Sequence, residues 1–119
     1  MFVLFIVLNK VEFLEDILTE FVKIGIRGAT ILDSQGMASA LVSNKSQIPI
    51  LGTLRAIVDN FHPYNKTIFT ILENDEIVQK TMKLVNDVVG DMDSPGTGVM
   101  FTMPIGNIYG LSSYIKNER

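Results

Sequence analysis

Every position from Phe2 to Leu8 is apolar, FVLFIVL. A short run apolar at both parities and rich in Val, Ile and Phe predicts a strand covered on both faces. Asn9 and Lys10 end it, and the spacing then changes. Leu14, Ile17, Leu18, Phe21 and Ile24 fall at helical intervals, with Glu12, Glu15 and Asp16 early and Lys23 late, where the helix dipole favours each sign. The pattern predicts a helix over 11–24 that closes at Gly25, glycine being a common helix terminator.

After GIRG the stretch ATIL reads as strand, and SALVS, beyond the Gly36 turn, reads as a second strand segment. Lys66 to Leu72, within KTIFTILE, is a strand by its β-branched and aromatic residues. A second helix is predicted from about Asn74 to Val89, with Ile77, Val78, Thr81, Met82, Val85 and Val88 along one side. VMFTM supplies a last strand. The order is β-α-β, a long connection, and β-α-β again.

Two such halves predict an α+β fold, a ferredoxin-like βαββαβ sheet with two helices on one face, in a single domain spanning 1–119. The other sheet face then has no cover. Since Phe2–Leu8 is apolar at both parities, that face is apolar too, and self-association is the simplest way to bury it. The central connection, 43–65, is not a flexible linker by composition. Leu54, Ile57, Val58 and Phe61 follow an i, i+3, i+4, i+7 pattern that predicts an extra short helix, ended before Pro63. The segment 112–119 reads as a polar tail.

Composition narrows the function classes. With 119 residues and 47% hydrophobic content the chain suits one compact domain. It has no cysteine, which excludes disulfides, thiolate metal sites and a cysteine nucleophile, and fits a cytoplasmic location. A net charge of −3 with scattered Lys and Arg leaves no basic stripe for nucleic acid. MFVLFIVL is far short of the roughly 20 apolar residues of a membrane span, and no positive region precedes it, so no membrane insertion is expected.

Chemistry-bearing residues are few. Gly96-Thr97-Gly98 before a strand can present successive backbone N–H groups to an anion, although the same pattern serves an ordinary turn. Asp87, Asp91 and Asp93 lack the glycine and terminal glutamate of a calcium loop and read as a solvated acidic turn. His62 is the sole histidine; a Ser-His-Asp arrangement would need it oriented by Asp59 or another carboxylate, and no nucleophile motif accompanies it. Arg55, on the polar side of the short connecting helix, has the fork that grips phosphate. Glu73, Asp75 and Glu76 are accounted for by the helix N-terminus they precede or open. No metal site is assigned, and no catalytic residue.

The β-α-β order, GIRGATILDSQGMA after the first helix, the long connection and GDMDSPGTGVMF after the second helix together resemble the nitrogen-regulatory PII and PII-like signalling proteins, over about Phe2 to Leu111. The resemblance implies a trimer of ferredoxin-like subunits holding an adenine nucleotide (ATP, ADP or AMP) as effector in clefts between neighbours, with 43–65 in the place of the family's T-loop. It places Gly28 and Thr30 beside the adenine, lines the cleft with Gly36, Met37 and Ala38, and puts phosphate on Gly96, Thr97 and Gly98. The family's basic phosphate clamps fall here near Val99, Gly110 and Ser112, which carry no charge, so Arg55, Lys45 or Lys66 would have to substitute. The family glutamine that positions magnesium and 2-oxoglutarate falls near Ser39 or Ala40, which cannot take that role.

The expectation is thus a non-enzymatic PII-like regulator, a homotrimer with a target protein or membrane transporter as partner, and a subgroup distinct from classical members. One alternative is a trimer similar to the CutA-like metal-binding proteins, for which one histidine and no cysteine leave poor ligands. A PII-like trimer that has lost nucleotide binding and acts through protein contact alone is another. An acyl-phosphate hydrolase ranks last, because LNKVEF after the first strand contains no arginine.

Overall fold

The computed structural model describes residues 1–43 and 64–112. In chain order the elements are β1 (Phe2–Leu8), a 3-10 turn (Val11–Phe13), α1 (Leu14–Lys23), β2 (Thr30–Gln35), α2 (Met37–Ser43), β3 (Tyr64–Leu72), α3 (Asp75–Val89) and β4 (Gly98–Pro104). The strands form one sheet in the order β2-β3-β1-β4, with every neighbouring pair antiparallel. This is the ferredoxin-like α+β arrangement. Each half leaves a gap of one strand between its own two strands, and the other half fills it, so β1 and β3 are central while β2 and β4 form the edges.

Side chains alternate across a strand, and burial follows that alternation. Leu4, Ile6 and Leu8 of β1 and Ile68 and Leu72 of β3 point to the helix side, where they meet Ile17 and Phe21 of α1 and Val78, Val85 and Val89 of α3 in one buried cluster. α1 stops where its glycine predicts. Gly25 takes φ +93°, its N–H donates to the Val22 carbonyl at 3.1 Å, and the Ile26 N–H reaches back to the Phe21 carbonyl at 2.9 Å. These two bonds form a Schellman motif, which satisfies carbonyls the helix leaves open. α3 is capped at its start by Asn74, whose side-chain oxygen accepts from the Ile77 N–H at 3.0 Å.

SALVS is not a strand: α2 covers Met37–Ser43, with the Ala40 N–H donating to the Gly36 carbonyl at 2.9 Å. The apolar run is too short for periodicity to separate helix from strand, and Met, Ala and Leu favour helix intrinsically. The first predicted helix is divided, with Val11–Phe13 a 3-10 turn before α1 begins. The predicted helix around Leu54 to Phe61, with Arg55 and Lys45, lies outside the described residues, as does the tail beyond Ser112. Among the described residues no helix is long and apolar enough to cross a membrane.

The sheet face away from the helices carries the other parity. Cross-strand pairing aligns Phe69, Phe5 and Phe101 in one row, Ile71, Val3 and Met103 on one side of it, and Thr67, Val7 and Val99 on the other. Phe5 packs between the other two rings, 5.7 Å from Phe69 and 5.2 Å from Phe101 between centroids. Val99, Phe101 and Met103 of β4 and Leu32 of β2 remain between 43% and 51% exposed. None of these side chains is charged. A contiguous apolar surface of this kind marks an interaction face rather than a solvated one.

Candidate functional site

One end of the sheet gathers most of the chemistry-bearing residues. β2 finishes there at Gln35 and passes through Gly36 into Met37 and Ala38 of α2. β3 starts there with Tyr64, Asn65 and Lys66; β1 ends there at Leu8, followed by Asn9 and Lys10; and β4 starts at Gly98 after the turn through Gly96 and Thr97. Strand order separates them laterally. Gly36 belongs to one edge and Gly98 to the other, three strand spacings apart, about 14 Å at ~4.8 Å per spacing.

Gly28 and Thr30 lie elsewhere. Thr30 pairs with Phe69 in mid-sheet, and Gly28 precedes it, with its carbonyl accepting from the Thr70 hydroxyl. From Thr30 to Gly36 the strand runs about 20 Å at ~3.3 Å per residue. A single copy therefore brings Gly36, Met37 and Ala38 together and Gly96, Thr97 and Gly98 together, but joins neither group to the other or to Gly28 and Thr30.

The turn before β4 is tied to the end of β1. The Asn9 and Lys10 N–H groups both point at the Thr97 carbonyl, at 3.0 and 3.4 Å, and the Thr97 N–H donates to the Ser94 carbonyl at 3.2 Å. Thr97 is fully buried and its hydroxyl has no hydrogen-bond partner among the described residues. All three polar groups of this residue face inward, so Thr97 anchors the turn rather than offering a surface donor. Gly98 takes φ +147°, and a Cβ there would sit 2.2 Å from the Val7 carbonyl oxygen. Only glycine allows β4 this close approach to β1. Gly36 differs, since its φ is not positive and a Cβ would meet open space.

Lys66 is occupied. Its ammonium pairs with the Asp33 carboxylate across the β2–β3 ladder. Lys23 pairs with Glu20 and Lys83 with Asp87. Beside Lys66, on the open face, runs a polar cluster: the Ser34 hydroxyl lies 2.8 Å from that of Thr67 and donates to the Asn65 side chain, which in turn donates to the Asn9 side-chain oxygen at 3.1 Å. Asn65 is only 9% exposed, and these bonds satisfy it where an unpaired amide would be costly.

The sheet topology lays the end of β1, with Asn9 and Lys10, against the turn before β4. Val99, one of the positions that the resemblance aligns with a basic clamp, projects from the open face and is half exposed. Among the described residues no group of three or more histidine or acidic side chains is placed to hold a metal ion.

No protein-family model matches the chain, and no curated protein is significantly similar to it. Among solved structures, the chain is similar to that of Arabidopsis thaliana PII bound to citrate, with a TM-score of 0.58 and 16% identity over 87% of this chain and 76% of that one. At that identity the likeness bears on the fold alone, a ferredoxin-like α+β arrangement similar to that of the plant PII protein.

Proposed function

We propose that this chain is a non-enzymatic PII-like regulator that assembles as a homotrimer, binds a small effector between subunits and thereby controls a partner protein or membrane transporter. The effector class is an adenine nucleotide: ATP, ADP or AMP. One observation carries the reading. The candidate residues fall on opposite edges of the sheet, and an uncharged apolar face stands uncovered beside them. Packing copies through that face would bring one subunit's Gly36–Ala38 edge toward another's Gly96–Gly98 edge. Gly36, with room on its open side, would then admit a ligand close to the backbone.

Regulation would work by population shift. A ligand that prefers one arrangement of the 43–65 connection biases it by its differential affinity, commonly about 1–3 kcal/mol of coupling. Sedimentation tests the assembly, with a trimer at micromolar concentration expected. Thermal-shift measurements and calorimetry against ATP, ADP, AMP, cyclic AMP, bicarbonate and citrate test the effector. A stable lone subunit overturns the inter-subunit site. A trimer silent to the whole panel points instead to a protein that acts through contact alone.

A further inference from the structure

We infer that the pocket between the end of α1 and the start of α3 is the docking site of this chain's own segment 113–119, which seats Tyr114 and Ile115 in it and sets Lys116 against its acidic rim. The pocket lies at the opposite end of the sheet from Gly36 and Gly98, so the inference goes beyond the effector reading and does not rest on it. Its volume is about 190 Å³, and it is lined by Ile24 and Ile26 after α1, Ile71 and Leu72 at the end of β3, Ile77 of α3, and Glu73. An apolar cavity of roughly 150 Å³ holds benzene, so this one has room for a single ring or a branched aliphatic group. Ile24, Ile26 and Ile77 are only half-buried, and an inserted side chain would take their remaining apolar surface out of water.

Charge and chain path single out the occupant. Glu73, Asp75 and Glu76 are exposed around the start of α3 and form no ion pair among the described residues. No cation lines the pocket, and Lys80, the next one along α3, lines a different groove. The group that fits is therefore apolar with a positive charge beside it. Segment 113–119, SYIKNER, carries an aromatic and a branched aliphatic side chain followed at once by Lys116, and it sets Lys116 and Arg119 against the single acid Glu118. The fold also delivers it to the right end of the sheet. Pro104, Phe2 and Leu72 share one cross-strand row, so the end of β4 lies two strand spacings from the pocket wall, about 10 Å at ~4.8 Å per spacing. The Ile105 N–H donates to the Met1 carbonyl at 3.0 Å and keeps the chain along that end. Tyr114 follows ten positions after Pro104, a stretch that spans up to about 33 Å. The central connection, by contrast, joins β3 at Tyr64, about 26 Å from Leu72 along the strand at ~3.3 Å per residue.

The test is disulfide trapping in the full chain, which has no cysteine of its own to interfere. Ile77→Cys with Ile115→Cys is compared with Asp91→Cys and Ile115→Cys. Asp91 is exposed just beyond the far end of α3, about 18 Å from Ile77 at ~1.5 Å per residue. Circular dichroism checks each fold, and Ile24→Cys replaces Ile77→Cys if the latter fails to fold. Docking raises the local concentration of the tethered partner, so the pocket pair should close within one chain at least about tenfold faster than the Asp91 pair. Glu73→Lys with Glu76→Lys, or molar salt, should shrink that advantage severalfold. Equal rates in the two pairs overturn the docking, and so does a disulfide that forms only between chains, which would give the pocket to a second copy. An advantage untouched by charge reversal and by salt overturns the part assigned to the acidic rim. Nucleotide titration of the same variants keeps the two readings apart, because lost trapping with retained nucleotide binding would sink this inference alone.

Discussion

The ring of Phe5 stacks on that of Phe101 with 20° between their planes, on the sheet face that no helix covers. Such a pair contributes about 0.5–1.5 kcal/mol beyond the area it buries, yet Phe101 remains 43% exposed. In the proposed trimer a partner surface would complete its burial. If that face is the trimer interface, Phe101→Glu should yield a folded monomer, because one carboxylate per copy would be buried there unpaired. Sedimentation together with circular dichroism checks both halves of that statement; an undisturbed oligomer would show that another surface mediates assembly.

Gly98 and Gly36 should respond differently to alanine. At Gly98 the added Cβ collides with the Val7 carbonyl in a backbone conformation that L-residues avoid, and the mutant should lose at least ~2 kcal/mol of stability. Gly36→Ala meets no obstacle and should stay within about 0.5 kcal/mol. Denaturant unfolding of the two variants gives the comparison.

Thr97→Val replaces a buried, unpartnered hydroxyl with a methyl group of similar shape. Removing the stranded polar group should stabilise the protein by roughly 1 kcal/mol. Thr81→Val is the matched control, since that hydroxyl is also buried but donates to the Ile77 carbonyl at 2.6 Å; it should gain nothing. Thermal melts decide, and equal shifts in the two would mean that the Thr97 hydroxyl has a partner in solution.

Asn74→Ala removes the side-chain acceptor of the Ile77 N–H. Loss of an N-cap costs about 1 kcal/mol, seen as a lower denaturation midpoint with an unchanged slope. Asn74→Asp should hold most of the stability, because aspartate caps as well and adds favourable charge at the helix start.

The fold was readable because its signals were redundant. The two-sided apolar run of Phe2–Leu8 marked β1 as a strand covered on both faces, and the Phe21 to Gly25 end of α1 carried both the periodicity and the stop. α2 was misread because its apolar content, in so short a run, suits either element. The candidate site was harder to read, for a geometric reason. Gly36 and Gly98 each announce a turn, but nothing local says that they occupy opposite edges of one sheet. Lys10 acquires a neighbour only through the contact of Asn9 and Lys10 with Thr97, across most of the chain.

The central position of β1 also bears on synthesis. Its partners run from Lys66 to Leu72 and from Gly98 to Pro104, so the most apolar strand leaves the ribosome well before either neighbour exists. Sheets built from such distant pairings form slowly, and an unpaired hydrophobic strand is prone to aggregate in the interval. The nascent chain thus passes through an interval in which its most apolar strand is made but unpaired.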